Sequence, residues 1–429
     1  MKRPSDSHDA LVIGAGPAGV AAATVLADRG VDVLLVDREP LERYSVGESL
    51  IPFCWDALDR LGVVDAVDQS GFVVPKHSVQ FISLDGRVSK PFYFFQHTDH
   101  PRAKTWQVFR SDFDALLRRN AIEKGVTFLP ETKVTELLDD DGTVRGARLR
   151  SASGEEREVQ ARVTVDATGR ATLAQARYGW RQPDPVLKKM AVWTYFEGAK
   201  RDSGFDEGTT TIAYLNGKAW FWFIPLSENR ASVGVVGDKD ELFHGETDLG
   251  AIFERESAAQ PWIADRLKDA CRTEDYRVTS EFSYRSRHGA RDGLVLAGDA
   301  FGFLDPVFSS GVYFALRSGV LCGDAIVDAL AANDVSAARF EGYAREVRRQ
   351  MEPMRQLVHA FYDGDFNFGT FLKRYPEERV ALTDVLIGDV SRDYDEFFAR
   401  LGEFAKLPTP MPVDEPRVED SSAAARASD

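Results

Sequence analysis

The stretch Ala10-Leu11-Val12-Ile13-Gly14-Ala15-Gly16-Pro17-Ala18-Gly19 decides the fold of this chain. Four apolar residues, enough for a short buried strand, run directly into a GxGxxG. From Val20 to Arg29 the composition is that of a helix, closed by Gly30, and a second apolar run, Val31 to Val36, ends on Asp37. Strand, glycine loop, helix, strand and terminal acid stand in the order of a dinucleotide-binding unit. The small residues Gly14, Gly16, Ala18 and Gly19 let the backbone approach a pyrophosphate, to which the helix start offers N–H groups. Asp37 is placed to accept from a ribose hydroxyl.

Far along the chain a second glycine-rich connection has the same logic. Gly293 to Ala297 reads as a buried strand and ends in Gly298-Asp299-Ala300. A tight loop, Phe301 to Gly311, follows, and apolar residues then recur at helical spacing from Val312 to Leu330. The loop therefore lies under a helix start, where unpaired N–H groups and the helix dipole favour an anion. Val163 to Arg170 is another strand ending in a glycine turn, at Gly169.

Between these pieces the pattern changes. Phe72–Phe81 and Val88–Phe95 alternate about the turn-like Asp85-Gly86 and predict a hairpin of an antiparallel sheet. Lys76 lies in it among apolar neighbours; as an isolated lysine it reads as a solvated charge. Lys189 to Val236 is strand-rich, and Trp220 and Trp222 fall on one face of a strand. Val46 to Leu61 reads as helical with a stop at Gly62, Glu48 and Ser49 being either caps or ligand contacts. Ser111 is the expected N-cap of a helix to Lys124. Residues beyond Leu330 read as helical, and Pro408 to Asp429 as a disordered tail.

The chain has 429 residues and a formal net charge of −15, which argues against nucleic-acid or anionic-membrane partners. Cys54, Cys271 and Cys322 are scattered without metal-like spacing and read as buried thiols, with no metal site. The N-terminus carries no apolar signal core, and no run reaches the roughly 18 apolar residues of a spanning helix. A cytoplasmic protein is expected.

Four pieces make one pattern: the GxGxxG, Asp166-Ala167-Thr168-Gly169, WxWxIP at Trp220 to Pro225, and FxxPxxSxG at Phe303, Pro306, Ser309 and Gly311. Together they resemble the flavin-dependent halogenases, within the larger group of FAD-dependent monooxygenases and geranylgeranyl reductases, over residues 10 to 405. The resemblance implies an α/β fold: a Rossmann-like FAD-binding domain with a mixed sheet, an interleaved antiparallel-sheet substrate domain and a helical C-terminal region. The divisions expected are 1–72, 105–186 and 285–330 for FAD, 73–104 and 187–284 for substrate, 331–407 for the helical region and 408–429 for the tail.

The resemblance also implies roles. Gly14, Gly16, Ala18, Gly19 and Asp37 would hold the nucleotide part of FAD, and Arg110, Gly169, Asp299, Pro306 and Gly311 would lie along the rest. Ser309 would stand beside the isoalloxazine, with Ser310 and Gly311 holding chloride or bromide through backbone N–H groups. In the family, reduced flavin and oxygen give a hydroperoxide that oxidises halide, and the oxidant crosses a tunnel to a lysine. Lys76 resembles that lysine, Trp220 and Trp222 wall the tunnel, and FADH2 would come from a separate reductase. Halogenases of free tryptophan have a glutamate where this chain has Phe308, so the resemblance is to the branch acting on phenols, pyrroles and carrier-tethered aromatics. The GxGxxG and Gly-Asp-Ala are shared by monooxygenases and geranylgeranyl-reductase-like enzymes, which remain the alternative, with a non-catalytic flavin-binding protein as a third reading.

Overall fold

The computed structural model describes residues 6–280, 283–364 and 366–412, so most of the expected C-terminal tail lies outside the described residues. Its first sheet has eight strands and is mixed. The strand Ser7–Ile13 sits at its centre, flanked in parallel by Val33–Val36 and by Glu156–Asp166. Leu294–Leu296 adds a further parallel strand, and Thr132–Asp140 and Thr143–Ser151 continue the sheet as an antiparallel meander. Central strands buried on both faces read as continuous apolar runs, as Ala10–Ile13 and Val33–Val36 do. The helices Pro17–Ala27 and Gly311–Ala331 pack on this sheet through small residues. A β-carbon at Gly319 would come within 2.3 Å of the Ala18 carbonyl oxygen, so the two helices touch backbone to backbone.

The second sheet also has eight strands, with Lys189–Glu197, Arg230–Asp238, Trp220–Pro225 and Thr210–Tyr214 antiparallel in sequence. One pairing departs from the all-antiparallel expectation: Ser78–Ile82 lies parallel to Thr210–Tyr214. The expected hairpin is also divided. Only Ser78–Ile82 pairs with Phe92–Tyr93, whereas Val73–Lys76 leaves the sheet and pairs with Thr105–Val108. This two-stranded ribbon pairs residues 73–76 with 105–108, one strand from each side of the division expected at 72/73 and 104/105.

Local signals account for several smaller differences. The expected helix from Val46 starts only at Cys54, because Ser49 forms a bridge with Gln107 and holds the chain extended; Gly62 ends it in the left-handed conformation, φ 74°. The helix Arg110–Glu123 begins one residue before Ser111, so Phe109 and not Ser111 is its N-cap. Cys54 and Cys322 are buried, but Cys271 is exposed on a two-residue edge strand. The C-terminal helices are Glu341–Tyr362, Phe368–Arg374, Arg379–Ile387 and Asp395–Leu401, the first of which meets the second sheet where Tyr362 accepts from Trp220. Among the described residues no helix is long and apolar enough to cross a membrane.

Candidate active site

A cavity of about 560 Å³ runs between the two large sheets. Gly14, Gly16 and Asp37 line one end, Arg110, Gly169 and Asp299 the middle, and Pro306, Ser309, Gly311, Trp220 and Trp222 the other. Ala18 also faces it, while Gly19, Lys76, Phe308 and Ser310 lie outside its lining.

The glycines at the first end divide by what surrounds them. A β-carbon at Gly14 would meet the Ala167 carbonyl oxygen at 2.3 Å, and one at Gly19 would meet the Gly14 oxygen at 1.8 Å. Those two let strand, loop and helix close on one another. At Gly16 the nearest atom to such a carbon is Arg43 Nη2, at 3.5 Å, so no backbone requires a glycine there. The space in front of Gly16 faces the cavity at the start of the helix Pro17–Ala27, whose first N–H groups have no partner within the helix. A pyrophosphate fits that space and those donors. Asp37 Oδ2 accepts from Ala15 N at 2.7 Å and Oδ1 from Glu39 N at 2.9 Å, so the carboxylate organises the loop it faces. Arg110 is held by Asp114 at 2.9 and 3.0 Å and by the Val46 carbonyl at 2.6 Å. Burial pushes the Asp299 carboxyl up to about 6, against the pull of Arg110 and Arg170.

At the other end Ser309 takes the left-handed conformation, φ 55°, rare for a residue with a β-carbon, and turns the chain into the helix Gly311–Ala331. Asp305 fixes the same loop. Its Oδ1 accepts from Val307 N at 2.9 Å and from the Tyr362 hydroxyl at 3.1 Å, and that hydroxyl accepts from Trp220 Nε1 at 2.9 Å. Burial pushes Asp305 up to about 7. The loop and the tryptophan wall are therefore tied through a residue of the C-terminal helix. Trp222 donates to Ser232 and lies over Gly234, where a β-carbon would come within 2.2 Å of its ring. Trp193 completes the wall and donates to Tyr44. Phe308 turns away into the C-terminal aromatics, 5.7 Å from Phe361 between ring centroids.

Lys76 is not the solvated lysine its sequence neighbourhood suggests. Strand alternation turns Val74 and Lys76 inward and leaves Pro75 outside; Lys76 is 2% exposed. Its Nζ donates to Ser49 Oγ at 2.8 Å and to the Leu50 carbonyl at 2.9 Å. Ser49 Oγ lies 2.7 Å from Thr210 Oγ1, which also accepts from Gln107 Nε2 at 2.8 Å. Ser49 and Thr210 line the cavity. A chain of hydrogen-bonded polar groups thus connects the cavity wall to Lys76. Burial pushes the ammonium down to about 7. Sequence reading left Ser49 undecided between cap and contact and gave Trp193, Thr210 and Gln107 no role. Trp193, two residues from Tyr195 in an apolar strand, repeats the spacing of Trp220 and Trp222 and was the one available signal.

Comparison with known proteins agrees with this architecture. The family model described as tryptophan halogenase matches residues 9–106 and 95–375. The 1H-pyrrole-2-carbonyl-(peptidyl-carrier protein) brominase of Pseudoalteromonas luteoviolacea is 35% identical over 332 residues, covering 76% of this chain and 79% of that protein. The corresponding chlorinase of Pseudomonas fluorescens is 28% identical over 406 residues, covering 89% of each. The solved structure of the flavin-dependent brominase Bmp2 superposes with a TM-score of 0.82 at 29% identity, over 93% of this chain and 97% of that one. With that family model matched over most of the chain and a 35% identical relative covering three quarters of it, the chain belongs to the tryptophan halogenase family of flavin-dependent halogenases.

Proposed function

We propose that the protein halogenates an electron-rich ring carried on a carrier protein, with a pyrrole-2-carbonyl group as the first candidate, and that a separate reductase supplies FADH2. The observation that carries the reading is Lys76: buried, held by Ser49 and Leu50, and joined through Ser49 to the cavity wall. The substrate class rests on the two pyrrole-carrier relatives and on the sequence at position 308, where this chain has phenylalanine instead of the glutamate of free-tryptophan halogenases.

Bound FAD, when reduced, supplies the two electrons of the overall conversion FADH2 + O2 + X⁻ + H⁺ → FAD + HOX + H2O. The chain's own residues do the rest. Gly16 and Ala18 leave room for the pyrophosphate at a helix start, Gly14 and Gly19 let the loop close tightly enough to present it, and Asp37, Arg110, Gly169 and Asp299 line the same cavity. The helix that starts after the Ser309 turn leaves its first N–H groups without helical partners, and those of Ser310 and Gly311 hold chloride or bromide. Trp193, Trp220 and Trp222 keep an organic ring from the flavin. Ser49 and Thr210 offer a polar passage, and Lys76 receives the oxidant and presents its halogen to the ring, HOX + ArH → ArX + H2O.

The test is turnover with FAD, a flavin reductase, NADH and bromide or chloride on a panel of carrier-bound pyrrole-2-carbonyl, free pyrrole-2-carboxylate, simple phenols and free tryptophan. The carrier-bound pyrrole is expected to give halide-dependent product fastest. Products that form equally well without halide would move the chain to oxygenation, and preferred chlorination of tryptophan would remove the substrate assignment.

A further inference from the structure

Gln107 is fully buried on the strand Thr105–Val108, opposite Val74 and diagonal to Lys76 on the inward face of the ribbon. Its Nε2 donates to the Gly208 carbonyl at 2.8 Å and to Thr210 Oγ1 at 2.8 Å. A carbonyl can only accept, so the nitrogen must be the end that faces Gly208. That leaves Oε1, which is buried and has no hydrogen-bond partner. Buried amide oxygens are ordinarily paired, and an orphan among polar side chains marks a place for a donor. Neither Thr210 nor Lys76 fills it. Thr210 already accepts from this same amide, and Lys76 donates to Ser49 and Leu50.

The position narrows the donor. Thr210 and Ser49 line the flavin cavity and Lys76 is hydrogen-bonded to Ser49 behind them, so Gln107 stands behind the cavity wall beside the lysine rather than in an open ring-sized pocket. A donor that fits there must be small, and the oxidant of the proposed reaction is small, neutral and carries an O–H. We propose that Gln107 is a further catalytic residue, its Oε1 accepting the O–H of hypohalous acid and holding it at Lys76. The inference rests on the proposed halogenase reading. One hydrogen bond from O–H to Oε1 leaves the oxygen's lone pairs for the lysine N–H and turns the halogen away from both.

Gln107→Met tests it, with product, oxygen uptake and a soluble hypohalite trap such as taurine measured together. Loss of product with oxygen uptake and FAD affinity unchanged, and with trapped halogen rising as product falls, is the expected result; a tenfold fall in the product-to-trap ratio is the size anticipated. An unchanged ratio would overturn the proposal. A fall in product with no rise in trapped halogen, matched by an equal loss for an N-methylated pyrrole on the wild type, would give the hydrogen bond to the ring N–H and also overturn it. Gln107→His covers the case in which the methionine variant does not fold. Its neutral ring keeps one acceptor, which protonation removes. The product-to-trap ratio is expected to collapse below about pH 6 in this variant only, since Lys76 titrates in the wild type run alongside. A flat profile in Gln107→His would count against the acceptor. If wild-type protein gives no halide-dependent product on any substrate, the halogenase reading itself has failed, which is a different outcome from any of these.

Discussion

Around the glycine loop the protein is crowded everywhere except in front of Gly16; around Lys76 it is crowded throughout, and with polar groups. Gly14 and Gly19 sit so close to neighbouring backbone that no side chain fits, while Gly16 has room that only a ligand uses. At the far end Ser49, Lys76, Thr210 and Gln107 are all at most 3% exposed and hydrogen-bond to one another across segments more than 25 residues apart. The first end is a shape made by absence of side chains. The second is a buried polar island, which in a low-dielectric interior is favourable only while its partners stay in place. The cofactor end should therefore fail by steric exclusion and the lysine end by loss of a partner.

The largest effect is expected at the loop. Gly14→Val should give no folded protein, because its β-carbon meets the Ala167 carbonyl at 2.3 Å in a backbone conformation of φ 102°. Gly16→Val should fold with wild-type circular dichroism yet bind no FAD, since the new side chain occupies the ligand's space. A yellow Gly16→Val protein would break the contrast between the two glycines.

Next comes the wall between the ends. In Gly234→Ala the new carbon falls 2.2 Å from the Trp222 ring, and such overpacking costs about 1–3 kcal/mol. Denaturant unfolding should show a loss near the top of that range, accompanied by weaker FAD binding as the indole is driven toward the cavity. An unchanged unfolding midpoint would mean that the wall gives way without resistance.

Lys76 itself should leave a pH signature on stability. Burial lowers its folded-state value from 10.5 to about 7. Between those two values the unfolded chain binds more protons than the folded one, so stability rises with pH there, and below about 7 the burial penalty is present in full. Relative to Lys76→Met, the wild type should gain about 2 kcal/mol between pH 7 and pH 9. Parallel stability curves for the two proteins over that range would show that Lys76 is not desolvated.

The smallest effect is expected from Tyr362→Phe, which removes the hydroxyl between Trp220 Nε1 and Asp305. Losing it should cost about 1 kcal/mol in unfolding free energy and raise the KM for halide by shifting the loop, with FAD affinity unchanged. Altered FAD affinity with a normal halide KM would instead place the link on the cofactor side.

The same contrast explains what could be read from the chain. Strand, GxGxxG, helix and Asp37 are consecutive, and each is a local requirement of backbone geometry, so the nucleotide end was legible within 28 residues. The fold class followed from that unit together with the family motifs. Lys76 carried no such mark: its burial depends on a ribbon with Thr105–Val108 and a bridge from Ser49, neither of which leaves a periodicity in residues 73–76. Thr210 and Gln107 meet Ser49 from 161 residues away and from an adjoining strand, and single polar residues in apolar strands look alike whether they face a core partner or a passage. The parallel pairing of Ser78–Ile82 with Thr210–Tyr214 was hidden for a similar reason, because alternation fixes which face a residue takes but not which strand lies beside it.

The most direct test of the account is Lys76→Met, followed through oxygen uptake and halogenated product in one reaction with FAD, reductase, NADH, bromide and the carrier-bound pyrrole. Removing a positioned proton-donating group costs about 10²–10⁴-fold in rate. Product should fall by that amount while FAD binding and oxygen uptake stay at wild-type levels, because nothing at the glycine loop or the Ser309 turn has changed. Product within a few-fold of wild type would contradict the assignment of Lys76 and, with it, the division of the site into a cofactor end and a lysine end.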